Sequence, residues 1–271
     1  MSKMDVKVAV AGLGAIGKVV ATKLDNGEIP GCRLAAVSGR DPQKSAGFVS
    51  GLASPVPVVA LDDLPKYADV VVECAPSALL AQIVEPMLKA GKKVIVLSVG
   101  ALLELPELIE LARAGAGQIL IPTGALLGLD AVTAANEGTI KSVKMVSRKP
   151  PIGFKGAPFL EQENISVENL SEPLRLFSGS PREAARGFPA NLNVSVALSL
   201  AGIGPDKTEL EVWADPTVVR NTHHIEVVSD SALLHMTIEN IPSENPKTGR
   251  ITAQSVIAML RKLSAPVRVG T

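Results

Sequence analysis

The chain has 271 residues, enough for one large domain or two smaller ones with substantial cores. Hydrophobic residues make up 46%, which excludes a disordered chain, and aromatics only 3%, which argues against a surface that stacks single-stranded nucleic acid. The 27 basic residues equal the 27 acidic ones, so no basic field draws nucleic acid or an anionic membrane, and no apolar run reaches membrane-spanning length.

The residues ahead of the first strand, Met1-Ser2-Lys3-Met4-Asp5, leave no room for a signal peptide, and Cys32 and Cys74 lack metal-type spacing. A cytoplasmic protein with two buried free thiols is expected. The first strand signal, Val8-Ala9-Val10-Ala11, runs into Gly12-Leu13-Gly14-Ala15-Ile16-Gly17, and a helix is predicted from Ala15 to Leu24. A G-x-G-x-x-G turn between strand and helix predicts dinucleotide binding. Gly12 permits the tight turn, Gly14 lets the backbone approach a pyrophosphate, and Gly17 lets helix and strand pack closely. The helix N-terminus, opened by Ala15 and Ile16, offers N–H groups to the phosphates.

Strand and helix signals then alternate as in a doubly wound parallel sheet. Strands are predicted at Arg33–Ser38, Val58–Ala60, Ala68–Cys74, Lys93–Ser98 and Gln118–Ile121. Pro55 and Pro57 put the Val58 strand at an edge. Helices are predicted over Pro42–Leu52, Ser77–Ala90 and Leu105–Arg113. Five or six parallel strands make a near-complete Rossmann unit over residues 1–136. From about Glu137 the pattern changes. Ser142–Arg148, Glu209–Trp213, Asn221–Val228 and Ala232–Ile238 alternate like strands of a mainly antiparallel sheet, with a helix over Asn191–Ala201. The expected architecture is α/β: a Rossmann domain, then an α+β substrate domain over 137–249. A terminal amphipathic helix within 250–271 is expected to pack back on the first domain. Exposed antiparallel strands make a homodimer plausible.

In NAD-binding Rossmann domains an acid about 20 residues past the glycines takes the ribose hydroxyls. Here that region reads Val37-Ser38-Gly39-Arg40-Asp41. Ser38, Gly39 and Arg40 suit a 2′-phosphate, which an arginine binds through charge-assisted bonds, so NADP is favoured over NAD. Asp41 remains the acid if the strand runs one or two residues longer. For proton transfer the chain offers three histidines. His223 and His224 share a strand and face opposite ways, Asn221 shares the face of His223, and His235 is read as structural. A histidine on a strand is more often structural than catalytic, so the residues alone leave His223 open. Phe188-Pro189-Ala190-Asn191-Leu192-Asn193-Val194 supplies either helix-capping or amide-binding carboxamides. Pro122 to Gly128 follows the last parallel strand, where small residues let the backbone approach a nicotinamide ring.

Taken together, these segments resemble the L-aspartate dehydrogenase family. The resemblance is carried by Gly12–Gly17, Gly124–Ala131, Arg148-Lys149-Pro150-Pro151, Phe188–Val194, Ala214-Asp215-Pro216, Asn221-Thr222-His223 and Glu244–Thr248. It implies interconversion of L-aspartate and iminoaspartate with NAD(P), a product that can feed NAD biosynthesis. It also implies that His223 is the acid/base and that Ala125 and Asn193 contact the cofactor. Two positions depart from the family: Gly39 stands where an aspartate is common, and His224 where a glutamate is common. The dicarboxylate substrate needs cationic or amide partners, for which Arg148, Lys149, Lys155 and Lys247 are candidates. The competing expectations are a reductase of the dihydrodipicolinate reductase or homoserine dehydrogenase type, and a non-catalytic NADP(H)-sensing protein.

Overall fold

The computed structural model describes residues 5–188, 192–242 and 249–271. The chain divides between Pro122 and Thr123 into two compact units, and Thr252–Arg268 returns to the first. The division falls ahead of the change in sequence pattern near Glu137, because the helix Leu129–Asn136 packs on the helix Asn193–Ala201 of the second unit.

The first unit is built on five parallel strands: β1 (Val6–Ala11), β2 (Cys32–Ser38), β3 (Val70–Glu73), β4 (Lys93–Val96) and β5 (Gln118–Leu120). Their order is β2-β1-β3-β4-β5, a doubly wound sheet with its switch point beside β1. The fully buried runs Val8–Ala11 and Val70–Glu73 are apolar apart from Glu73, as strands covered on both faces require. The strand expected at Val58–Ala60 shrinks to one bridge, in which Val37 N donates to Pro57 O and Val59 N to Val37 O. Pro55 and Pro57 have no N–H with which to extend the ladder. The helix Ile251–Ser264 packs Val256, Ile257 and Leu260 into the cluster that holds Val8, Val10 and Leu34. Cys32 is buried and Cys74 half-buried, both free, and burial raises the pKa of each thiol.

The second unit carries β6 (Ile140–Lys149), β7 (Leu174–Gly179), β8 (Glu209–Ala214), β9 (Asn221–Ser229) and β10 (Leu233–Asn240) in the order β10-β9-β6-β8-β7. β6 and β8 run parallel and the other neighbours antiparallel, so the sheet is mainly antiparallel, as expected. β7 has no counterpart in the sequence reading. A bulge between Arg175 and Phe177 breaks its two-residue alternation. The inner face of the sheet is read directly from the strands: Val143, Met145, Ile225 and Val227 are buried. His224 and Glu226 lie on the outer face, and so does His235, whose side chain is 63% exposed with Nδ1 3.5 Å from Glu226. The structural role expected for His235 is therefore replaced by a surface one. Among the described residues no helix is long and apolar enough to cross a membrane.

Candidate active site

In the first unit the glycine turn closes on itself. Gly12 has φ +103°, and a Cβ there would lie 2.4 Å from the Cys74 carbonyl oxygen. A Cβ on Gly17 would lie 1.9 Å from the Gly12 carbonyl oxygen, so the turn and the helix touch through backbone alone. Gly14 differs: nothing lies within 4 Å of a Cβ placed there. It is the N-cap of the helix Ala15–Asp25, whose first turn has neither a side-chain cap nor an acid. Donors facing an open cradle that a side chain would fill are what a diphosphate requires, so these residues fit the dinucleotide. Ala15 is exposed at the start of the helix, Ile16 packs against the unit's core and Gly17 is buried.

A cavity of about 860 Å³ opens beside the turn, lined in part by Gly12, Gly14, Ser38 and Arg40. Lys18 and Lys44 line it too, two cations that sequence reasoning missed because each reads as a solvated helix charge. Strand β2 ends at Ser38, and the Asp41 carboxylate accepts hydrogen bonds from Gln43 N and Lys44 N, both at 3.0 Å. Asp41 therefore caps the helix Pro42–Val49 and does not extend the strand. A Cβ on Gly39 would sit 2.3 Å from Ser45 Oγ, which donates to Asp41 O, so any side chain at 39 must displace that hydroxyl.

Beneath this cavity Glu73 is fully buried at the end of β3. Its carboxylate accepts from Ala75 N, Leu97 N, Ser98 N and Ser98 Oγ at 2.8–3.1 Å. Burial raises its pKa, and those donors oppose the shift. Glu73 ties β3 to β4 and fixes the Cys74-Ala75 backbone that lines the cavity. An acid closing the apolar run Val70–Val72 was its only sequence signal.

In the second unit, His223 lies on the inner face of β9, opposite Ser147 of β6, and is 2% exposed. Its Nδ1 is buried without a hydrogen-bond partner among the described residues. Burial first, then the charge of Lys149 and then that of His224, pulls its pKa from 6.5 to about 3. Lys149, at the end of β6 and 6% exposed, is lowered by burial from 10.5 to about 8. Asn240, the last residue of β10, donates from Nδ2 to Ala125 O at 3.0 Å, which fixes the peptide that carries Ala125. Asn193 is exposed at the first position of the helix Asn193–Ala201. Asn191, Lys247 and the segments Pro189–Asn191 and Glu244–Thr248 lie outside the described residues.

A stability prediction follows from His223. Between pH 6.5 and about 3 the unfolded chain binds a proton that the native ring refuses. The native state therefore loses roughly 1 kcal/mol per pH unit as pH falls through that window. Urea melts at about pH 7 and about pH 5 are expected to diverge in the wild type and to converge in His223→Leu. An equal loss in both proteins would contradict the assignment.

Residues 130–263 match the family model described as aspartate dehydrogenase, C-terminal. Residues 12–122 match that of the homoserine dehydrogenase NAD binding domain. L-aspartate dehydrogenase 3 of Bordetella bronchiseptica is 74% identical over 270 residues, covering 100% of this chain and 99% of that protein. The chain belongs to the L-aspartate dehydrogenase family. A second member, from Bradyrhizobium diazoefficiens, is 60% identical over 98% of this chain and 95% of its own length. The crystal structure of aspartate dehydrogenase from Thermotoga maritima shares the fold: its TM-score is 0.73 at 23% identity, over 98% of this chain and 99% of that one. Family membership makes the chain a dehydrogenase with a nicotinamide cofactor. The match to the homoserine dehydrogenase model stays within the first unit and carries no information on substrate.

Proposed function

We propose that this chain is an NAD(P)-dependent L-aspartate dehydrogenase, acting on the CH–NH2 group of L-aspartate to give iminoaspartate, which water converts to oxaloacetate and ammonium. The observation that carries this reading is His223, a buried, uncharged imidazole whose buried Nδ1 has no hydrogen-bond partner among the described residues, in a chain 74% identical to a named L-aspartate dehydrogenase. The bound cofactor supplies the acceptor or donor of the hydride. At neutral pH the His223 ring is unprotonated, the state of a general base. It takes a proton from the water that adds to the imine carbon and returns it to the departing nitrogen, which leaves as ammonium. A dicarboxylate brings negative charge to the ring and raises its pKa, so the protonated form persists long enough to act as the acid. In the reductive direction the same ring protonates the nitrogen. By the family resemblance Ala125 and Asn193 contact the cofactor, and Asn240 Nδ2 holds the Ala125 peptide in place.

NADP is the favoured cofactor. Arg40, Lys18 and Lys44 surround one cavity, while the nearby Asp41 carboxylate is committed to its helix cap. Arg40→Ala is expected to raise the KM for NADPH about 10- to 100-fold and leave that for NADH unchanged. A wild-type enzyme with a large preference for NAD would remove this assignment. With ammonium and either cofactor, oxaloacetate is expected to be reduced faster than pyruvate or 2-oxoglutarate. A faster rate with either of those acids would contradict the substrate assignment. We further propose a cytoplasmic homodimer that supplies iminoaspartate to NAD biosynthesis. The position of β10 at the edge of the second sheet supports pairing through that sheet, and a solution mass of one chain would overturn it.

A further inference from the structure

Strand β2 ends at Ser38, and the next residue, Gly39, lies on the wall of the cavity beside the glycine turn. In a Rossmann sheet this is the place of the acid that hydrogen-bonds a ribose 2′-hydroxyl. The backbone at Gly39 does not call for glycine, because its φ lies outside the left-handed region. What calls for it is Ser45. A Cβ at position 39 would come within 2.3 Å of Ser45 Oγ, while its next neighbours, Ser45 Cβ at 3.5 Å and Leu13 Cδ1 at 3.8 Å, lie at ordinary contact distance.

The hydroxyl does not swing aside freely. Ser45 is 3% exposed in the helix Pro42–Val49, and its Oγ donates to Asp41 O at 2.7 Å, beside the helical bond from Ser45 N to the same carbonyl at 3.0 Å. The Asp41 carboxylate in turn caps that helix through Gln43 N and Lys44 N. Displacing the hydroxyl breaks its bond at a buried position, where an unpaired donor is costly. Leu13, Gly39 and Ser45 all line the cavity, together with Arg40 and Lys44.

We propose that Ser45 is a specificity-determining residue for the cofactor: its hydroxyl takes the space of an acid at position 39, and so keeps the cavity beside Arg40 for the 2′-phosphate of NADP. This rests on the NADP reading. Selection then has an excluding part and an attracting part. Arg40 attracts the phosphate, and Ser45 keeps out the carboxylate that would repel it and hold a 2′-hydroxyl instead. An acid at 39 is therefore not enough to change the cofactor, since the Ser45 hydroxyl must leave as well.

The test is a double-mutant cycle of wild type, Gly39→Asp, Ser45→Ala and the double variant, read by fluorescence titrations of NADPH and NADH and by thermal melts. Gly39→Asp alone is expected to melt below wild type and to bind both cofactors at least about tenfold more weakly, because its Cβ drives the Ser45 hydroxyl from its place in the cavity wall. Ser45→Ala alone is expected to keep the preference for NADPH. In the double variant the two Cβ atoms meet at an ordinary 3.5 Å. There NADH affinity is expected to rise about tenfold over Gly39→Asp, and the ratio of NADPH to NADH affinity to fall on the order of a hundredfold from wild type. A Gly39→Asp protein that binds NADH as tightly as the double variant would overturn the proposal, and so would a folded double variant with the wild-type preference. Should Gly39→Asp fail to fold, Gly39→Ala decides, since it adds the Cβ without the charge. A loss of melting temperature that Ser45→Ala relieves supports the proposal, and an equal loss in both backgrounds overturns it. A wild type that prefers NADH defeats the NADP reading itself. A wild type that prefers NADPH, beside additive effects of the two substitutions, defeats only this proposal.

Discussion

His223→Ala is expected to lower kcat on the order of a hundredfold or more while the dissociation constant for NADPH stays at its wild-type value. The split follows from where the ring lies. His223 is an inner-face residue of the second unit's sheet, and it is not among the described residues that line the cavity beside the glycine turn. Its Nδ1 has no hydrogen-bond partner among the described residues, so removing the ring breaks none at that atom, and the loss in rate reads proton transfer. Stopped-flow measurement of the first turnover separates that step from product release. An unchanged rate would take His223 out of the mechanism. A parallel loss of NADPH binding would make its role structural.

Gly14 and Gly17 are expected to fail in different ways, although both belong to one motif. A leucine at Gly14 meets nothing within 4 Å in the protein and sits at a backbone angle open to any residue, φ −78°. Its cost to stability is at most about 1 kcal/mol, that of a poorer helix cap. The side chain fills the cradle over the helix N-terminus, so NADPH affinity is expected to fall at least a hundredfold in a protein that still melts near the wild-type temperature. Alanine at Gly17 places a methyl 1.9 Å from the Gly12 carbonyl oxygen and 3.2 Å from Val10 Cγ1. The turn must open, costing on the order of 3 kcal/mol of stability as well as the cofactor. Calorimetric melts beside NADPH titrations distinguish the two. Strong NADPH binding by Gly14→Leu would mean that the diphosphate lies elsewhere.

The features legible in the sequence are the local ones. The strand–glycine–helix junction needs only ten consecutive residues, and the opposite facing of His223 and His224 needs only the two-residue period of a strand. What escaped depends on distant neighbours. Arg148-Lys149 before two prolines looks like a solvated charge pair. Strands β8 and β9, which flank β6, bury one member of that pair and leave the other against Trp213 and Asp215. Glu73 acquires its donors from residues up to 25 positions away, and Asn240 reaches Ala125 across 115. The Val58 segment carries the composition of a strand, but its flanking prolines leave it without the N–H groups to join the ladder for more than one bridge. Asp41 is the reverse case. Its sequence position suited a ribose-binding acid, and only the end of β2 at Ser38 shows that the carboxylate is used locally.

The most direct measurement follows the hydride. L-aspartate carrying deuterium on its α-carbon is incubated with oxidised NADP, and the reduced cofactor, oxaloacetate and ammonium are quantified together. The expected result is deuterium in the reduced cofactor, with oxaloacetate and ammonium formed in equal amounts. Bound cofactor that acquires no deuterium from aspartate would contradict the assignment.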